Sequence, residues 1–191
     1  MILTHIEVAT IRETMSGKTT NLRTYLKLME WARGCDVTQD MAFQTKYRGF
    51  YRVRRNDAWS RPYFDFMESY KTAQFTFGDV LSHLFETTGR VEGSFASKLL
   101  ATIYPNQPIW DEIVLKNIGI PQPQKGQKDK QKQIRESLAT YSKLENWYNG
   151  YINTPNAMEI ICLINEMYPF AAQMTATKKV DWALWSMGTK E

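Results

Sequence analysis

Two cysteines are all the sequence has, and that scarcity removes several classes of protein at once. Cys35 follows a predicted helix end and Cys162 sits inside the apolar run 160–164, so neither a disulfide framework nor a metal-binding spacing can be built from them. Histidine is equally rare. Neither His5 nor His83 has a metal-ligating partner at helical spacing, and no metal is expected. A complete nucleotide-binding Gly-x-x-x-x-Gly-Lys-Ser/Thr loop is missing, as is a Gly-x-Ser-x-Gly nucleophile elbow, and no cofactor is implied. There is no internal repeat and no long Gly/Ser linker. Residues 1–7 lack a basic, uninterrupted apolar leader and no later run reaches membrane-spanning length, so the expectation is a cytosolic protein with no membrane partner.

What is present is apolar and aromatic. Of 191 residues, 43% are hydrophobic and 13% aromatic, including six Trp and ten Tyr, which is too much to leave unburied. One domain spanning residues 1–191 is expected. The net charge of +4 is a modest excess, so its distribution matters more than its size.

Gly and Pro fall between segments of helical periodicity. Thr20 can cap a helix carrying Leu22, Tyr25, Leu28 and Met29 that stops at Gly34. Thr38 can cap a second with Phe43, Tyr47, Phe50 and Tyr51, and a third spans Trp59 to Met67 with Pro62 in its first turn. Phe77 to Phe85 is a fourth. Ser94 can cap residues 95–103, and 110–118 is a short helix closed by Gly119. Residues 121–132 are Gln- and Lys-rich and read as a mobile loop. Beyond it, apolar positions from Ile134 to Tyr148 mark a long helix, Thr154 and Pro155 open another through Met167, and a last one holds Val180, Trp182, Leu184 and Trp185. Trp147, Trp182 and Trp185 are assigned to the core. The expected fold is all-α, about eight helices in one domain, with residues 1–15 left as irregular, helical or strand-like.

Two charge patterns stand out. Arg48, Arg52 and Arg55 follow i, i+4, i+7 spacing, which on a continuous helix puts them on one face, with Lys46 and Arg54 on its flanks. Such a face is either a solvated edge paired with acidic neighbours or a phosphate-binding stripe, for which the planar guanidinium fork is suited. Lys125, Lys128, Lys130, Lys132 and Arg135 form a second positive run, read as an auxiliary arm.

The central segment holds Val91-Glu92-Gly93-Ser94-Phe95-Ala96-Ser97-Lys98 and then Pro108-Ile109-Trp110-Asp111. A Gly-bearing turn between helices exposes backbone N–H groups at the second helix start, a seat for a phosphate oxygen flanked by Ser94 and Lys98. Asp111 stands at the next helix start. This arrangement, over residues 79–119, resembles the helix-hairpin-helix DNA glycosylase superfamily. The resemblance implies an enzyme that hydrolyses the N-glycosidic bond of an extruded base, with Asp111 as the catalytic carboxylate and Gly93, Ser94 and Lys98 on the DNA backbone. The family hairpin has two glycines separated by one residue, whereas here Ser94 and Phe95 follow Gly93. That alignment puts Phe95 where some members have a nucleophilic lysine, with Lys98 nearly a turn later. Asp at a helix start is also a plain cap. The competing reading is a non-catalytic helical module that binds a protein partner or bare nucleic acid.

Overall fold

A computed structural model describes residues 3–124, 126 and 128–188. Every regular element among them is helical: α1 (Val8–Met15), α2 (Thr19–Gly34), α3 (Met41–Phe50), α4 (Asp57–Ser69), α5 (Phe77–Thr88), α6 (Gly93–Ile103), α7 (Glu112–Ile118), α8 (Lys130–Tyr151), α9 (Pro155–Met167), a 3-10 turn (Pro169–Gln173) and α10 (Ala176–Ser186). Nine of these ten α-helices fall on the periodic segments of the sequence, and α1 is added where β-branched residues left the state open, against the expected total of about eight. Residues 3–7 are irregular and pair with no strand. Side chains take up their backbone groups instead: Ile6 N–H donates to Asn156 Oδ1 at 2.8 Å and Asn156 Nδ2 donates back to Ile6 C=O at 2.9 Å.

Helix boundaries follow side chains that satisfy orphan N–H groups. Thr76 and Asp79 form a reciprocal capping box at α5, and Thr154 caps α9 with Pro155 at the first helical position, as the sequence indicates. Several starts differ. Lys18 rather than Thr20 precedes α2, and Asp40 rather than Thr38 caps α3, because the Thr38 hydroxyl donates to Asp36 Oδ1 at 2.6 Å. α4 opens at Asn56, which leaves Pro62 well past the first turn, where a proline removes an internal hydrogen bond. Within 121–132, the helix begins at Lys130, because Asp129 accepts from Lys132 N–H.

Packing divides the helices into two groups. α5 lies against α4, α6 and α8, and α2 lies against α3 and α6; α10 gathers α1, α7 and α9. The first group buries an aromatic core around Phe43, Tyr47, Tyr63 and Phe64, with Tyr47 Oη and Tyr63 Oη 2.8 Å apart and Tyr63 Oη donating to Phe95 C=O at 3.0 Å. The segment between α6 and α7 joins the groups, and Thr175 Oγ1 ties α10 to it by donating to Pro105 C=O at 2.8 Å. No helix among the described residues is long and apolar enough to cross a membrane.

Candidate functional site

Where α2, α3 and α6 face α10, a cleft of about 1140 Å³ opens. That is large enough for a nucleobase with its sugar.

The rim is set by how α3 ends. Tyr51 and Val53 are both buried, and the chain turns sharply to bury them. Val53 N–H donates to Arg48 C=O at 2.8 Å and Arg52 N–H to Gly49 C=O at 3.3 Å, the paired bonds of a Schellman stop. That stop needs a left-handed residue, and Arg52 supplies it at φ 54. α5 and α7 place Gly89 and Gly119 at the same kind of position. An arginine there costs roughly 1 kcal/mol in backbone energy. The strain puts an exposed guanidinium at the cleft mouth.

The expected arginine stripe is therefore broken, because α3 stops at Phe50 and the i, i+7 relation to Arg55 is lost. Arg48 turns away from the cleft; it donates to Arg55 C=O at 2.5 Å and to exposed Asp57 at 3.3 Å. Arg55 does line the cleft, lying 5.5 Å over the Phe95 ring and 2.9 Å from Glu92 Oε1. Arg90 meets the same Glu92 oxygen at 2.9 Å. Lys46 lines a separate, shallower groove of about 690 Å³.

The wall of α6 and α7 is clamped at Trp110. Ser94 Oγ donates to Trp110 C=O at 3.0 Å, and Ser97 Oγ accepts from Trp110 N–H at 2.9 Å. A Cβ on Gly93 would come within 3.1 Å of the Trp110 ring, so a larger residue there would push the ring by a few tenths of an ångström. α6 starts at Gly93, with Ser94 inside the helix rather than capping it. α7 starts after Asp111, whose Oδ1 accepts from Ile113 N–H at 2.8 Å. Asp111 is thus a cap and also a half-buried carboxylate lining the cleft. Lys98 Nζ donates to Ser94 Oγ at 2.9 Å and lies 5.3 Å from the Phe95 ring centroid. Burial lowers its pKa, and the carboxylates of Asp111, Asp181 and Glu112 oppose that shift. The cleft accordingly brings together Asp111, Lys98, Gly93, Ser94, Arg52 and Arg55, and leaves Arg48 and Lys46 outside.

The opposite wall escaped sequence reasoning. Lys178, Asp181, Trp182 and Trp185 recur at i, i+3, i+4, i+7 along α10 and line the cleft, so Trp182 and Trp185 are wall as well as core. Tyr148 Oη donates to Asp181 Oδ1 at 2.8 Å, and Lys178 Nζ is 3.6 Å from Asp181 Oδ2. Burial raises the Asp181 pKa, against the pull of Lys178 and Tyr148, and lowers that of Lys178. The spacing that puts Lys178 and Asp181 on the same face as Trp182 and Trp185 was the available signal. In the lysine-rich run, Lys125 lies outside the described residues; Lys128, Lys130, Lys132 and Arg135 are exposed, the last three on α8. Comparison with protein-family models, curated proteins and solved structures finds no match.

Proposed function

We propose that this protein binds DNA and hydrolyses the N-glycosidic bond of a base extruded into the cleft. The observation that carries the reading is the meeting of Asp111 and Lys98 in one aromatic-walled cleft with Arg52 at its mouth. Arg52 and Arg55 contact backbone phosphates, with Arg55 drawn from Glu92 as phosphate competes for it. The base stacks among Phe95, Trp110 and Trp185, whose faces accept any flat ring.

Asp111 has one oxygen fixed by the helix cap, which leaves the other to act on water. Water loses a proton to that carboxylate and its oxygen joins the sugar carbon. The carbon–nitrogen bond breaks with its electron pair going to the base nitrogen, which takes up a proton. Lys98, hydrogen-bonded to Ser94 in the same cleft, is placed to supply that proton.

The test uses duplexes carrying a single altered base. Binding should weaken steeply with salt. Asp111→Asn should bind as wild type does and release base at least about 100-fold more slowly. Base release by Asp111→Asn at the wild-type rate would overturn the mechanism. Binding that is weak and insensitive to salt would overturn the DNA assignment itself.

A further inference from the structure

Four buried polar atoms without a hydrogen-bond partner belong to residues lining this one cleft: Tyr25 Oη, Tyr51 Oη, Lys178 Nζ and Trp182 Nε1. Buried polar groups are nearly always paired, so four around a single space need an explanation. Lys178 is the most telling. Its side chain is 2% exposed, and Asp181 at 3.6 Å is an ion pair too long to be a hydrogen bond. Asp181 itself is occupied from behind by Tyr148.

The chemistry of the four atoms is one-sided. An ammonium and an indole N–H can only donate, and a phenol donates readily. Lys178 and Trp182 are one turn apart on the same face of α10, so their donors belong to one edge of the cleft. Trp182 and Trp185 stack with centroids 5.0 Å apart and planes at 29°, giving that edge a flat wall. These atoms lie just beneath the cleft surface, so a ring that presses into the wall meets donors and is accommodated best where it offers acceptors.

We infer that the donors of Lys178 and Trp182 on one wall, with those of Tyr25 and Tyr51 on the facing wall, select nucleobases with carbonyl oxygens (oxo bases) over those with an exocyclic amine in the same place. This rests on the DNA reading above. An amine aims N–H at N–H, leaving both sides unpaired, whereas a carbonyl satisfies the ammonium and the indole together.

Hypoxanthine differs from adenine, and uracil from cytosine, by oxygen against amine together with N–H against a lone pair at the adjacent ring nitrogen, so each pair compares two whole hydrogen-bonding edges. Each is placed opposite an abasic-site analogue, so that extrusion never breaks a base pair, and binding is measured. The oxo member of each pair should bind at least about tenfold more tightly. Replacing Trp182 with 3-benzothienylalanine keeps the bicyclic ring and exchanges only its N–H for sulfur, so it should narrow the gap at least about threefold. Lys178→Met should abolish the gap, though it strands Asp181 and can unfold the protein, which makes the benzothienyl replacement at Trp182 the deciding variant. Equal, salt-sensitive binding of both members overturns base selection and leaves the DNA reading standing. If no duplex binds, the DNA reading fails, and tryptophan quenching by 9-methylhypoxanthine against 9-methyladenine decides the edge alone. Stronger quenching by the oxo compound supports it; equal or no quenching overturns it.

Discussion

Two buried polar regions of this molecule are built from the same kinds of atom and end in opposite states. Between α3, α4 and α6 the hydroxyls are joined: Tyr47 to Tyr63, Tyr63 to Phe95 C=O, and Thr102 to Lys98 C=O at 2.7 Å. Across the cleft, Tyr25, Tyr51, Lys178 and Trp182 end in buried donors with no hydrogen-bond partner. Each unsatisfied group costs about 1–3 kcal/mol, so the second region holds several kcal/mol of unused bonding capacity in a molecule of ordinary marginal stability. The hydroxyl chain stabilises the fold. The cleft edge lowers stability, and its atoms are disposed to bond something else.

Substitutions can break or sharpen that contrast, and the largest effect is expected at the ion pair. Lys178→Met should lower unfolding free energy by about 3 kcal/mol near pH 8, because it leaves a buried carboxylate alone. The loss should fade toward pH 4. Burial already raises the Asp181 pKa above its unfolded value of 3.8, and removing the opposing ammonium raises it further. Between those values the native state holds a proton that the unfolded state lacks, so stability declines as pH rises. Urea unfolding at several pH values measures this.

In the satisfied region, Tyr63→Phe should cost about 2 kcal/mol, since it deprives both Tyr47 and Phe95 C=O of a partner. Arg52→Gly should act in the other direction. By relieving the left-handed strain it should gain about 1 kcal/mol by urea unfolding while weakening DNA binding, and a variant that lost stability would show that φ 54 costs nothing there. The 3-benzothienylalanine replacement at Trp182 should change stability by less than about 0.5 kcal/mol, because it keeps the ring volume and the N–H that it deletes bonds to no other group. A cost near that of Tyr63→Phe would erase the distinction between the regions.

Much of the helical frame was legible beforehand because its signals are local. Thr154 and Pro155 do open α9, Gly119 does end α7, and Asp111 does stand at a helix start. The arginine stripe misled because it assumed one helix through Arg55, whereas burial of Tyr51 and Val53 bends the chain at Arg52. Ser94, expected as a cap, instead braces Trp110, a contact that depends on the path between α6 and α7. Lys178 carries no local mark of burial, since its neighbours Thr177 and Lys179 are polar and charged, and only the packing of α10 encloses it.

The sequence by itself determined that the described residues form an all-helical fold, roughly where the helices lie and where several of them end, and that Asp111 and Lys98 are close along the chain. Periodicity and capping act over a few residues, so they can be read without a fold. Only the tertiary structure decided that α10 forms the opposite wall, that Arg52 rather than Arg48 guards the mouth, and that four donors converge without partners. Those facts depend on which faces of separate helices meet. The same amphipathic pattern is compatible with many such meetings, and packing selects one.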